Sequence, residues 1–137
     1  MAARELFVDT GAWLALTAED DAFHEDARQI YPNLLRRYRR LITTNLVVAE
    51  TYILLRRAAG HAPAVSFLEM LERSPRIEKV YSTARDEIEA YRLLKKYDDQ
   101  DFSFADAVSF VIMRRRKIQE VFAFDQHFHT AGYRLVL

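Results

Sequence analysis

The chain has 137 residues, half of them hydrophobic and 29% charged, with only three glycines and three prolines; this is the profile of one folded domain, residues 1–137, and excludes a low-complexity chain. The absence of cysteine excludes disulfides, thiolate zinc sites and cysteine nucleophiles, and fits a reducing cytoplasm. Net charge is zero at pH 7, so no overall field draws the molecule towards nucleic acid.

The first residues run straight into a strand-like segment, so no signal peptide is expected. That strand covers Glu5 to Val8 and leads into Asp9. Thr10-Gly11 reads as a turn, and Ala12 to Leu16 as the start of a helix. Asp21 to Tyr38 carries apolar residues at helical period, with an interruption or bend expected at Pro32. Leu41 to Thr43 is a second strand. Asn45 is placed to cap a helix from Leu46 to about Ala59, stopped by Gly60. A helix starting near Pro63 ends near Ser74-Pro75. Ile77 to Tyr81 is a third strand. Thr83 caps a helix to about Tyr97, and Ser103 caps another from Phe104 to about Arg116. Val121 to Phe124 is a fourth strand ending at Asp125. Gln126 to Thr130 forms one helical turn, and Tyr133 to Leu137 a last strand. Apolar strands alternating with helices predict an α/β fold with a parallel sheet covered on both faces. No apolar run is long enough to span a membrane.

Four acids stand alone in apolar surroundings: Asp9 in LFVDTGAWL, Glu50 in LVVAETYILL, Asp106 in FSFADAVSFVIM and Asp125 in VFAFDQHF. An isolated buried carboxylate costs several kcal/mol unless it is protonated, hydrogen-bonded, paired or metal-bound. Each acid also has an ordinary structural reading. Ser103-x-x-Asp106 resembles a capping box. Asp9 can form an Asx turn, Asp125 can cap QHFH, and Glu50 can sit on an exposed stripe or in a buried ion pair. Ligands of open α/β sheets bind beyond the carboxyl ends of the strands, where Asp9 and Asp125 are expected. Together the acids suggest a pocket for a divalent metal. Thr10, Thr44 and Ser103 supply hydroxyls nearby that either order ligands or form caps and turns. His127 and His129, close behind Asp125, read as a polar turn, with a metal or acid–base role as the alternative; Trp13, Phe104 and Phe128 read as core, with stacking on bases as the alternative.

Arginine outnumbers lysine sixteen to four. Clusters at Arg36 to Arg40, at Arg56 and Arg57, and at Arg114 to Arg116 read as helix C-terminal ends or as phosphate contacts.

With these residues, the chain resembles the PIN-domain family, and within it the VapC-type toxin ribonucleases. FVDTGAW, TTNLVVAET, DFSFADAVSF and VFAFDQHF match that family's four acidic motifs in order, spacing and context. The resemblance implies a three-layer α/β/α sandwich with a central parallel sheet of about five strands. It implies an Mg²⁺- or Mn²⁺-dependent endoribonuclease with Asp9, Glu50, Asp106 and Asp125 as catalytic and metal-binding residues. It also implies an RNA substrate, an antitoxin partner and a homodimer. The alternative is a non-catalytic RNA- or partner-binding module on the same fold, since fold alone does not fix activity. A phosphoryl-transfer domain fits less well, because Thr10-Gly11 follows Asp9 where a second acid is wanted.

Overall fold

The computed structural model describes residues 4–136. Among them, five strands alternate with seven helices. β1 (Glu5–Val8) leads to α1 (Thr10–Thr17) and α2 (His24–Arg37), and β2 (Arg40–Thr44) to α3 (Asn45–Ala59) and α4 (His61–Arg73). β3 (Ile77–Val80) is followed by α5 (Ala84–Lys96) and α6 (Phe104–Arg116). β4 (Glu120–Phe122), α7 (His127–Thr130) and β5 (Arg134–Leu135) complete the chain. Leu137, the expected end of the last strand, lies outside the described residues.

The strands form one sheet in the order β3-β2-β1-β4-β5, and every pairing is parallel. Helices α1 to α4 pack on one another, and so do α5 to α7. Right-handed crossovers then put the two groups on opposite faces of the sheet, giving the expected α/β/α sandwich. The central strand β1 is the most enclosed, with Leu6, Phe7 and Val8 fully buried. Burying a side chain of this kind stabilises the fold by roughly 1.5–3 kcal/mol. Trp13 and Phe128 join this core, as expected. Phe104 does not: at 41% exposure it stands at the first turn of α6.

Several local expectations are corrected. Thr10-Gly11 is the first turn of α1 rather than a separate turn. α2 runs through Pro32 without interruption. Proline leaves the Arg28 carbonyl without its helical partner, but Arg28 and Pro32 are both exposed, so the carbonyl stays open to water. Thr44, not Asn45, caps α3, its Oγ1 accepting from the Val47 amide at 3.1 Å. The Asn45 Oδ1 instead accepts from the Ser82 amide at 2.8 Å, tying α3 to the end of β3. β4 stops at Phe122, so Asp125 stands in a turn beyond the strand rather than at its end.

At the amino edge of the sheet every strand-borne acid is matched by arginine. Arg116 bridges Glu5 of β1 at 2.8 Å and Glu78 of β3 at 2.9 Å. Arg40 adds a second contact to Glu78 at 3.1 Å. Glu120 of β4 is held by Arg4 at 2.6 Å and Arg134 at 2.7 Å. Hydrogen bonds from Arg116 hold the Glu78 carboxyl below its ordinary range. Arg116 therefore links strands separated by β2. Arg116→Ala should leave Glu5 and Glu78 facing each other and cost about 1–2 kcal/mol in urea denaturation at neutral pH. An unchanged midpoint would show that the cluster contributes nothing.

Candidate active site

β1 lies between β2 and β4, so the chain leaves β1 towards one edge of the sheet and later returns to its other side. The crevice at such a reversal is the natural ligand site of an open α/β sheet. Asp9 is there, directly after β1, its amide donating to the Phe122 carbonyl of β4 at 3.1 Å. Asp125 follows β4 on the neighbouring strand. α3 leaves β2 at the same edge, and Glu50 is its sixth residue. α6 feeds β4 and runs against the strand direction, which returns its N-terminus, with Asp106, to that edge. Leu46 of α3 packs against the cluster containing Ala107 and Val108 of α6, so the helices bearing Glu50 and Asp106 are drawn together.

Electrostatics report the same convergence. Asp9 is 4% exposed. Burial pushes its carboxyl up to about 8, and the charges of Asp106, Asp125 and Glu50 push in the same direction; the Thr10 backbone amide pulls it down. The four sequence-distant acids thus share one field. Among the described residues, Asp9, Glu50 and Asp125 have no lysine or arginine partner, in contrast with the amino edge.

Asp106 serves two ends. Its Oδ2 accepts from the Ser103 amide at 3.0 Å, and the Ser103 Oγ accepts from the Asp106 amide at 3.0 Å. The capping-box reading is therefore correct. The same Oδ2 lies 2.9 Å from the His127 Nδ1. The Asp125 Oδ1 accepts from the His127 amide at 2.9 Å and lies 4.0 Å from the His127 ring. Histidine at 127 is thus the link between the third and fourth acids, a bridge that neither its polar-turn reading nor its metal or acid–base reading described. The only signal in the sequence was its position two residues after Asp125.

The hydroxyls divide. Thr44 and Ser103 are helix caps. The Thr10 Oγ1 is buried beside Asp9 and has no hydrogen-bond partner. An orphaned buried hydroxyl next to an unpaired buried carboxylate leaves polar capacity for a bound group to take up. Among the described residues, no three His, Asp or Glu side chains form a ready-made coordination cage. Asp106 is engaged with its cap and His127, and Asp125 with its own turn. The donor set is nevertheless all hard oxygen, as Mg²⁺ and Mn²⁺ prefer.

A family model described as PIN domain matches residues 6–132. The chain belongs to the PIN-domain family. Two curated relatives of this PIN domain share the name 23S rRNA-specific endonuclease VapC20, from Mycobacterium tuberculosis strains CDC 1551 / Oshkosh and ATCC 25618 / H37Rv. Each is 38% identical over 129 residues, covering 93% of this chain and 95% of the relative. The crystal structure of Mycobacterium tuberculosis VapC20, titled a Sarcin-Ricin loop cleaving toxin, matches with a TM-score of 0.87 and 35% identity over 93% of this chain and 95% of that one. These likenesses bear out the family and fold expected from the sequence, and the reading of the chain as a toxin-type ribonuclease.

The raised Asp9 value has a consequence for stability without metal. Between the ordinary carboxyl value of 3.8 and about 8, the folded chain keeps the Asp9 proton while the unfolded chain has released it. The folded state then binds more protons, so stability falls as pH rises through this window, by at most about 1.4 kcal/mol per pH unit. Thermal melts in chelator at pH 5 and pH 8 should show this decline in the wild type and a flatter profile in Asp9→Asn. Equal slopes would remove the buried carboxylate as its cause.

Proposed function

We propose that this PIN domain is an Mg²⁺- or Mn²⁺-dependent endoribonuclease that acts as the toxin of a toxin–antitoxin pair. The observation that carries the reading is the set of carboxylates without arginine or lysine partners at the carboxyl edge, with the buried Asp9 at its centre. Four carboxylates in one field repel one another, and a hard cation relieves that repulsion while keeping them ionised. Asp9, Glu50, Asp106 and Asp125 would hold it. Once bound there, a divalent ion supplies water activation and neutralises charge on the scissile phosphate and the departing 3′ oxygen.

The chain's own groups do the positioning. Ser103 and His127 fix the Oδ2 of Asp106, so its Oδ1 is the free oxygen. The Asx turn at Asp125 ties its carboxylate to the start of α7. Thr10 offers its unpartnered hydroxyl beside Asp9. Hydrolysis by water with the 3′ oxygen leaving yields 5′-phosphate and 3′-hydroxyl ends. The similarity to VapC20 supports a structured ribosomal RNA loop as the substrate class. An antitoxin that covers the acids is the matching protein partner. Ile53 and Leu54, 49% and 37% exposed on α3, offer an apolar face for a homodimer.

The purified chain should cleave ribosomal RNA fragments when Mg²⁺ or Mn²⁺ is added and stop when it is chelated. Asp9→Asn should lower the rate more than about 100-fold, beyond the 10–100-fold typical of losing a group that only supports a ligand. Equal rates for wild type and variant, with contaminating nuclease excluded, would overturn the assignment.

A further inference from the structure

A cleft of about 610 Å³ opens between α5, α6 and the segment joining α7 to β5. Its floor is aromatic and fixed. Phe110 packs edge-on to Phe102 at 5.1 Å and stacks with Tyr133 at 5.9 Å, and the Tyr133 hydroxyl donates to the Phe110 carbonyl at 3.1 Å. Its walls carry Arg92, Lys96 and Arg114. None of these three has a carboxylate partner among the described residues, and the one acid lining the cleft, Glu89, lies 3.6 Å from Arg85. The cleft lining itself therefore carries more positive than negative charge.

The arginine run at the end of α6 shows how selective the surplus is. Arg115 pairs with Asp86, and Arg116 with Glu5 and Glu78. Arg114 alone is left facing the cleft.

Aromatic contacts connect the cleft to the acids. Tyr97, 41% exposed at its rim, meets Phe102 at 6.1 Å. Phe102 meets the His127 ring at 5.7 Å, and His127 lies 2.9 Å from the Asp106 carboxylate. The cleft is open to solvent, so a polymer can lie along it. Unpaired cations beside aromatic faces suit a nucleic-acid strand, whose phosphates take the charges and whose bases stack on the rings.

We propose that this cleft is an RNA-binding subsite that grips the strand flanking the cleavage point, with phosphates on Arg92, Lys96 and Arg114 and a base on Tyr97. The assignment rests on the ribonuclease reading above. An acidic peptide would answer the charge but has no use for the exposed ring at the rim.

The test measures binding in an Asp9→Asn background by fluorescence anisotropy of a labelled single-stranded RNA in chelator, from 50 to 200 mM KCl. Arg92→Glu/Lys96→Glu should weaken binding at least about tenfold, and the slope of log K against log salt should shrink by roughly 0.7 for each lost phosphate contact. Tyr97→Ala should weaken it roughly fivefold or more with the slope unchanged. Lys79→Glu, a single charge reversal on edge strand β3 at the other end of the sheet, should alter neither. In otherwise wild-type enzyme, Arg92→Glu/Lys96→Glu should raise KM while kcat stays within about twofold. Unchanged affinity, an equal loss in Lys79→Glu, or equally tight binding of poly-glutamate by the cleft would overturn the subsite. If the wild type cleaves RNA and the double variant keeps its KM, only the subsite falls. If the wild type cleaves no RNA, both proposals fall.

Discussion

A carboxylate buried without a counter-cation at the end of the central strand is the constraint on which the site depends. Asp9 follows three fully buried residues and is almost fully buried itself. Charge in such a place is unfavourable unless something compensates it. The nearest charges are three more acids, which make matters worse. The folded chain accommodates this arrangement by holding the proton on Asp9, whose carboxyl burial pushes up to about 8.

The two edges of the sheet solve opposite problems. At the amino edge, Glu5, Glu78 and Glu120 are matched by Arg4, Arg40, Arg116 and Arg134, so ionic contacts join the strands. At the carboxyl edge, acids of similar number have no arginine or lysine partner among the described residues. Composition alone conceals this segregation, because the totals cancel to zero. The same division runs through Arg114, Arg115 and Arg116, where consecutive residues serve a cleft, a helix-bound aspartate and a pair of strands.

Asp106 combines a structural task with a place among the four acids. As the third residue of α6 it closes a capping box with Ser103, as Asp86 does with Thr83 in α5. Capping orients the side chain and leaves one oxygen available. What distinguishes the two is the neighbourhood: Asp86 faces Arg115, whereas Asp106 faces His127 and the other acids. Identical local motifs thus acquire different roles through the charges the fold brings to them.

The sequence by itself determined the order and type of the elements, because period, caps and breakers act within a few residues. It also marked Asp9, Glu50, Asp106 and Asp125, because an acid in an apolar run is visible without a fold. It misjudged Asn45 and Phe104, where a partner distant in sequence or solvent exposure decided the outcome. Only the tertiary structure decided that β1 lies between β2 and β4, that His127 joins Asp106 to Asp125, and that among the described residues Arg114 has no acidic partner while Arg116 has two. Those outcomes depend on which distant segments meet, and contact range is set by packing and crossover geometry rather than by any property that neighbouring residues carry.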